Sequence, residues 1–160
     1  MIYHSKNTFK KIFLTTTILF SSSISFAEQC LSPQKLTEQM YKKHFSGRND
    51  DVKPLASTSI QNLEKYLTKP LAKKIDNDNK CQTKTQMLCN LEFDILTDAQ
   101  DSPEKPRYNI TQVSNTQVNV MISGVDYKKK ITLKFAQENG CSKISDILYP
   151  THQSLNHLLK

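Results

Sequence analysis

A short acidic segment in the middle of the chain is the first place where the residue types could do chemistry. The segment FDILTDAQDSPEKPRYNI, residues 93–110, holds Asp94, Asp98 and Asp101 among apolar residues and two prolines. A carboxylate acts as a general base when burial or a neighbouring charge shifts its pKa. Aspartate also accepts backbone N–H bonds in turns, and the prolines favour a turn here. The pattern favours a structural role for Asp94 and Asp101 over a catalytic one.

The rest of the sequence offers no other reacting group of residues. The chain has 3 glycines, no glycine-rich phosphate loop, and no arguable serine–histidine–aspartate or cysteine–histidine grouping. The DNDNK run at 76–80 lacks the glycine and the later acidic ligand of a calcium loop. The spacing of His152 and His157 does not place them on one helix face as a metal pair. We therefore predict no catalytic residue, no metal site and no cofactor.

Residues 1–27 have the features of a bacterial secretory signal peptide. Three lysines and no acid form a positive amino-terminal region, and the apolar run IFLTTTILF follows. Ser25 and Ala27 occupy the two small positions that precede a cleavage site. The apolar run is too short for a good membrane-spanning helix, although an uncleaved anchor is the alternative. We expect cleavage after Ala27, no stable membrane insertion, and an exported, periplasmic domain formed by residues 28–160.

The charge pattern does not favour nucleic-acid binding. The formal net charge of +7 includes three lysines of the predicted signal peptide, so the charge of the remaining chain is mild. Nucleic-acid binding usually needs a clustered basic face with interleaved aromatic residues. The basic runs Lys73–Lys74 and Lys128–Lys130 are short and far apart in sequence. They are typical of solvated positions at a helix end and at a hairpin turn.

The four cysteines predict two disulfides, because their number is even and the protein is expected to be exported. Four cysteines allow three pairings. We favour Cys81–Cys89, which closes a short loop, and Cys30–Cys141, which ties the start of the domain to its last strand. A zinc site is the alternative, but the spacing lacks a C-x-x-C knuckle and no histidine lies near Cys81 or Cys89.

Three helical segments are predicted in the first half of the domain. In CLSPQKLTEQMYKKHFSG, Ser32 can cap the helix and Gly47 ends it. The segment TSIQNLEKYL predicts a second helix, with Thr58 and Gln61 as a capping box. Pro70 can open a third, shorter turn, KPLAKKI, which stops before a polar turn at DNDNK.

The second half of the domain changes to an alternating pattern. The runs YNITQVS, QVNVMIS, KITLKFA and SKISDILY alternate apolar and polar residues, and short turn-like segments separate them. Short connections indicate antiparallel strands. The last segment, THQSLNHLLK, predicts a helical turn begun by Thr151, with its leucines packed against the core. The fold class is therefore α+β: N-terminal helices packed on a curved antiparallel sheet of about four strands.

This order of elements, together with FDILTDAQD, resembles a bacterial exported family called domain of unknown function 3828. The matching residues are Asp94, Ile95, Leu96, Ala99, Gln100 and Asp101, and later Ile144, Asp146 and Ile147. Cys141 and Ser142 stand where the family usually has an aromatic residue. The resemblance implies a cone-shaped fold like that of nuclear transport factor 2, also called cystatin-like. It implies a fold more than a function, because this fold hosts enzymes, carriers and binding modules.

Without a catalytic grouping, we predict a non-enzymatic periplasmic domain that binds another protein. The most concrete form is an immunity protein, which inhibits a periplasm-acting toxin. Tyrosine is common at interfaces, and Tyr127 is expected to be exposed at the tip of a hairpin. The candidate contacts lie in one loop and in this hairpin: Asp101, Glu104, Lys105, Arg107, Tyr127 and Lys128.

Two alternatives remain open from the sequence. The first is a carrier or sensor that holds a small apolar ligand in a cone-shaped pocket, with Asp94 and Asp101 near its rim. The second is a weak isomerase or hydrolase that uses the same two carboxylates, as isomerases with this type of fold use buried acids at the mouth of the cone. Sequence alone leaves the oligomeric state and the partner open.

Overall fold

The computed structural model describes residues 30–46, 54–101 and 106–159. None of the helices in these ranges is long and apolar enough to cross a membrane. The predicted signal peptide, the predicted helix end at Gly47, and Glu104 and Lys105 lie outside the described residues. The elements in chain order are α1 (Pro33–Ser46), a 3₁₀ turn (Leu55–Ser57), α2 (Ile60–Leu63), α3 (Lys69–Thr85), β1 (Arg107–Ser114), β2 (Gln117–Gly124), β3 (Tyr127–Glu138), β4 (Cys141–Leu148) and α4 (Leu155–Leu158).

The four strands form one antiparallel sheet in which neighbours in sequence are neighbours in space. Val120 of β2 pairs with Ile110 of β1 on one side and with Ile131 of β3 on the other. The α+β class, with helices and a four-stranded antiparallel sheet, is thereby confirmed. The turn between β2 and β3 consists only of Val125 and Asp126, because β3 already begins at the next residue.

The alternating strands bury one face of the sheet, and the helices pack on that face. Val118, Val120 and Ile122 of β2 have no exposed surface, as the period-two pattern predicts. Helix α1 contacts β1 and β2, whereas α3 and α4 contact β4. Burial of these apolar side chains drives the association of the two layers. The helices and the segment between them contribute Leu36, Met40, Tyr41, Leu63, Leu67, Leu71 and Ile75 to this core.

The segment between α2 and α3 extends one edge of the sheet. The main-chain nitrogen of Thr68 donates to the carbonyl of Ile144, and the nitrogen of Ile144 donates to the carbonyl of Tyr66, each at 2.9 Å. This short parallel pairing covers part of the outer edge of β4. It places Leu67 between the helices and the sheet, where this side chain is fully buried.

The second helix differs from its prediction. Helix α2 begins after Ser59 and spans four residues, and no side-chain cap forms at its start. Thr58 Oγ1 instead donates to the carbonyl of Leu55, 2.8 Å away, at the end of the preceding 3₁₀ turn. The predicted capping box of Thr58 and Gln61 is therefore wrong, because the threonine hydroxyl is used one turn earlier in the chain.

The third helix is longer than predicted. Helix α3 continues through DNDNK to Thr85, and Gln86 ends it in the left-handed conformation at φ 57°. The predicted polar turn at 76–80 is therefore wrong. The reason lies in tertiary contacts: Asp78 is buried and accepts hydrogen bonds from both nitrogens of Asn90 at 2.8 Å. Such contacts override the weak local helix preference of Asp and Asn.

The chain ends in the predicted helical turn, but this turn starts later than expected. Helix α4 follows Ser154, not Thr151, as its N-cap residue. Leu155 and Leu159 are buried against the core. The Thr151 hydroxyl is instead used in a hydrogen bond to Asp98.

Two disulfides join Cys30 to Cys141 and Cys81 to Cys89, which is the pairing favoured from the sequence. The first bond ties Cys30, three positions before the start of α1, to the first residue of β4 across 111 positions. The second bond links α3 to the loop that follows it across 8 positions. The long bond therefore connects the helical layer to the sheet, whereas the short bond fixes a local loop.

We expect the two disulfides to contribute unequally to stability. In the chain-entropy model, the long Cys30–Cys141 loop is worth about 5 kcal/mol and the short Cys81–Cys89 loop about 2.5 kcal/mol. Replacing Cys30 and Cys141 by serines should therefore lower the free energy of unfolding more than replacing Cys81 and Cys89. Urea unfolding of the two double variants measures the difference, and equal losses would contradict it.

Candidate functional site

The acidic segment singled out in the sequence folds into a closed turn, residues 94–99. The main-chain nitrogen of Asp94 donates to the carbonyl of Ala99, and that of Asp98 donates to the carbonyl of Asp94, both at 2.8 Å. Asp98 has a φ of 57°, in the left-handed region that aspartate tolerates better than most residues. We call this segment the 94–99 turn.

The carboxylate of Asp94 forms hydrogen bonds with the main chain inside this turn. Its Oδ1 accepts the main-chain N–H groups of Leu96 at 2.7 Å and Thr97 at 3.2 Å. Its Oδ2 lies 3.3 Å from Nε2 of His44, at the end of α1, and both side chains are at least nine-tenths buried. Asp94 is therefore mostly buried and faces His44, and both of its carboxylate oxygens have structural partners.

The carbonyls of residues 95–98 each receive a side-chain donor from another part of the chain. The hydroxyl of Tyr149, just after β4, donates to Ile95 at 3.1 Å. The hydroxyl of Tyr41, in α1, donates to Leu96 at 2.7 Å. A buried carbonyl without a donor costs about 1–3 kcal/mol, so these bonds are required for the turn to be buried.

The carbonyls of Thr97 and Asp98 accept hydrogen bonds from side chains of β3. The Tyr127 hydroxyl donates to Thr97, and Lys129 Nζ donates to the carbonyl of Asp98. Tyr127 was expected to be exposed at a hairpin tip, and this expectation is wrong. The residue begins β3, and its half-buried side chain points to the helix-covered face because strand residues alternate in direction.

The environment of the turn keeps the tyrosine hydroxyls protonated. Burial, and then the charge of Asp94, raises the pKa of Tyr41 well above its usual value. Burial and the carboxylates of Asp98 and Asp94 raise the pKa of Tyr127 to about 12. Burial is also the main cause of the raised pKa of Tyr149. All three phenols are therefore hydrogen-bond donors over the physiological pH range.

Asp98 is the most buried acid of the segment. Its side chain has no exposed surface, and its Oδ2 lies 2.7 Å from Lys129 Nζ. The Thr151 hydroxyl donates to the same oxygen at 2.9 Å, and His152 Nε2 lies 3.2 Å from Oδ1. A fully buried carboxylate persists only with such partners, because burial strongly disfavours an isolated charge.

An open depression of about 480 Å³ lies beside this buried acid. We call it the Phe93 depression; its walls include Phe93, Asp98, Asp101, Tyr127 and His152. Asp101, predicted to lie at a pocket rim, is exposed here. Asp94, the other predicted rim residue, does not line this depression.

The structure brings Arg107 and Lys128 to the same end of the sheet. Both pair with Ser123 of β2, from opposite sides, and both are exposed on the face that the helices do not cover. The strand spacing places their backbones about 10 Å apart. The exposed Val125 lies at the adjacent β2–β3 turn.

Sequence reasoning missed Lys129 and His152 as members of this site. One signal was present: Lys129 has the same strand parity as Ile131, so it falls on the face that the pattern buries. A lysine on a buried face needs an acidic partner, and Asp98 is that partner. His152 carries no comparable signal, because it lies in an irregular segment after β4.

The described residues around the Phe93 depression do not form a set of catalytic groups. Its walls contain no serine, threonine or cysteine as a nucleophile. Asp98 is held by Lys129 and Thr151, whereas Asp101 makes no hydrogen bond or ion pair with the described residues. Comparisons with protein-family models, curated proteins and solved structures find no match to this chain in any of the three.

Replacement by asparagine should affect the stability of the fold very differently at Asp98 and at Asp101. Asp98→Asn leaves the charge of Lys129 without its partner in a mostly buried position, so we expect a loss of about 3 kcal/mol. Asp101→Asn removes an exposed carboxylate and should change stability by less than about 0.5 kcal/mol. Urea unfolding of both variants measures this contrast, and similar effects would argue against a structural role for Asp98.

The tyrosine donors should make the protein sensitive to alkaline pH. The free phenol ionises near pH 10, whereas Tyr127 in the folded chain ionises at about 12. The folded state therefore keeps its proton to higher pH, so this stabilisation is complete below pH 10 and is lost as pH rises towards 12.

Urea midpoints measured at pH values across this range should fall for the wild-type chain. The Tyr127→Phe variant should be less stable at neutral pH and should show a shallower fall, because one of the ionising groups is gone. A wild-type midpoint that stays constant through the phenol range would contradict the prediction.

Proposed function

We propose that this chain is a non-enzymatic, exported protein-binding domain, and most concretely an immunity protein that inhibits a periplasm-acting toxin. The observation that carries the proposal is the gathering of candidate contacts at one end of the sheet. Asp101, Arg107 and Lys128 all lie there and are exposed. Asp94 and Asp98, by contrast, are used to hold the 94–99 turn together.

The exposed charges at this end of the sheet suit a partner with an acidic surface. Lys128 and Lys130 of β3 and Arg107 of β1 point away from the helices. The turn residue Val125, 64% exposed, adds an apolar contact next to them. Charges at the rim of an interface mainly steer association and select the partner, so a basic rim favours an acidic protein.

A binding role fits the way in which this end of the sheet is built. Arg107 and Lys128 lie on paired strands, so their positions are fixed by main-chain hydrogen bonds. The turn of two residues between β2 and β3 is short, and Tyr127 anchors its end to the 94–99 turn. A rigid surface loses little conformational entropy when a partner binds.

The same arrangement gives less support to an enzyme. A general base needs a carboxylate that reaches the substrate, but Asp94 and Asp98 are bonded within the fold. Asp101 reaches solvent, where it is free to contact a partner. We therefore propose that the acids near the surface serve recognition.

A carrier of a small apolar ligand also receives less support. Among the described residues, Met40, Leu55 and Leu96 line an apolar cavity of about 40 Å³ between α1 and the 3₁₀ turn. This volume is close to that of one water molecule, about 30 Å³. An apolar ligand in this cavity would therefore have to displace core side chains, and the larger Phe93 depression is lined by two exposed carboxylates.

We also propose export to the periplasm and a sheet bent into a cone, as in the nuclear transport factor 2-like fold. Two disulfides suit an oxidising compartment. Register shifts occur in β1 at Val113, between Gln112 and Ser114, and in β4 at Ser145, opposite Lys134 and Phe135. Such irregularities bend strands and support a bent sheet.

A charge-reversal experiment tests the binding role. The partners to assay are exported toxins encoded next to this reading frame, each titrated against residues 28–160. We expect one of them to bind, and we expect Arg107→Glu with Lys128→Glu to weaken binding by at least about tenfold, because both steering charges change sign. Co-expression should also protect cells from that toxin, and the double variant should protect less.

The matched control reverses two exposed lysines of α3, Lys73→Glu with Lys84→Glu, which changes the net charge equally. This control should bind within about twofold of the wild-type chain, since the rim at the sheet end is intact. Absence of any complex, or equal weakening by both double variants, would refute the proposed site.

A further inference from the structure

The Phe93 depression has a chemical character that differs from the rest of the molecule. The whole chain carries 22 basic and 15 acidic residues, yet the depression exposes the carboxylates of Glu92 and Asp101. The one lysine in its walls, Lys129, is paired with the buried Asp98 at 2.7 Å. The two exposed acids therefore give the depression a net negative charge.

Aromatic rings form one wall of this depression. The rings of Phe93 and His152 are stacked, with centroids 4.9 Å apart and planes 10° from parallel. Tyr149 packs edge-on against Phe93 at 5.2 Å and holds it in place. His152 is 44% exposed, so part of this stacked pair reaches solvent. A planar cation can stack on such rings while it contacts carboxylates beside them.

Asp98 adds a carboxylate oxygen without a hydrogen bond to the wall of the depression. Among the described residues, Oδ1 of Asp98 accepts no hydrogen bond, although the His152 ring lies 3.2 Å away. Gln100, with its side-chain amide, also lines the depression. Carboxylate and amide oxygens next to aromatic rings are suited to a group that carries several N–H donors and a delocalised positive charge.

We propose that the Phe93 depression receives an arginine side chain of the partner protein. The proposal rests on the protein-binding function and names one anchor of that interface. The guanidinium stacks on the Phe93–His152 pair and donates hydrogen bonds to Asp101 and Glu92. The volume of about 480 Å³ is within the range of sites that enclose small groups. Arginine is also among the residues that most often dominate interface energies.

This anchor defines the kind of surface that the partner must present. The depression is acidic, whereas the nearby exposed Arg107 and Lys128 are basic. A matching surface therefore carries a protruding arginine next to an acidic patch. Such a pattern of two signs fixes the orientation of binding and rejects uniformly charged proteins.

A small-molecule titration tests the anchor without a known partner. The probe is N-acetyl-arginine N-methylamide, and the matched control is the citrulline analogue, which has a similar shape but no charge. The readout is the set of amide signals of ¹⁵N-labelled chain in heteronuclear NMR. We expect the arginine probe to shift signals of residues 92–101 with a Kd of about 1–10 mM, at least about fivefold tighter than the citrulline probe.

Two variants and one control locate the effect. Asp101→Asn and Glu92→Gln should each weaken binding of the arginine probe by at least about threefold, whereas Glu38→Gln, an exposed acid on α1, should not. Equal affinity for both probes, shifts scattered over other acids, or no effect of Asp101→Asn would overturn the proposal.

The same variants separate this proposal from the proposed function. If a toxin binds the wild-type chain but Asp101→Asn and Glu92→Gln keep full affinity, the binding function stands and the arginine anchor is wrong. If no toxin binds but the probe binds with the expected selectivity, the depression recognises arginine and the immunity role is wrong.

Discussion

Four consecutive carbonyl oxygens, at positions 95–98, must all be hydrogen-bonded although they belong to neither a long helix nor a sheet. Each is satisfied by a side chain at least 30 positions away in the chain: three tyrosines and one lysine. These donors come from α1, from β3 and from the segment after β4. Because a buried carbonyl without a donor is costly, the turn can be buried only when these three parts of the chain have assembled around it.

This requirement explains why the most acidic part of the sequence is mainly structural. Asp94 closes the turn from inside by accepting main-chain N–H groups, and Asp98 fixes its end through Lys129. Both oxygens of Asp94 and Oδ2 of Asp98 are thereby used by contacts within the fold. The surface at the same end of the sheet is free of this constraint, so recognition can use it.

The sheet was predictable because its signal is local and periodic. The alternation in QVNVMIS and KITLKFA follows from the geometry of a strand with one buried face, so the strands agree with the structure to within about three residues. The disulfide pairing was also favoured from the sequence, although with other pairings open. Export and the cone shape remain predictions.

Two parts of the molecule could not be predicted, because their causes are distant in sequence. DNDNK looks like a turn, but Asp78 is held inside α3 by Asn90, a residue beyond the end of that helix. Tyr127 looks like an exposed turn residue, but the carbonyl of Thr97 provides a bond for its hydroxyl. In both cases a polar contact between residues distant in sequence determines the local structure, which local propensity alone does not predict.

The interior and the surface of the site are linked through charge. If Lys129 were free, its ammonium would offset one of the two exposed carboxylates of the Phe93 depression. Its pairing with Asp98 neutralises it, so Glu92 and Asp101 set the sign of the field in the depression. The ion pair that stabilises the 94–99 turn thus also leaves an acidic surface on a basic protein. In the proposed recognition of a cation, the ion pair of Asp98 acts through charge: it neutralises the one lysine among the described residues that line the depression.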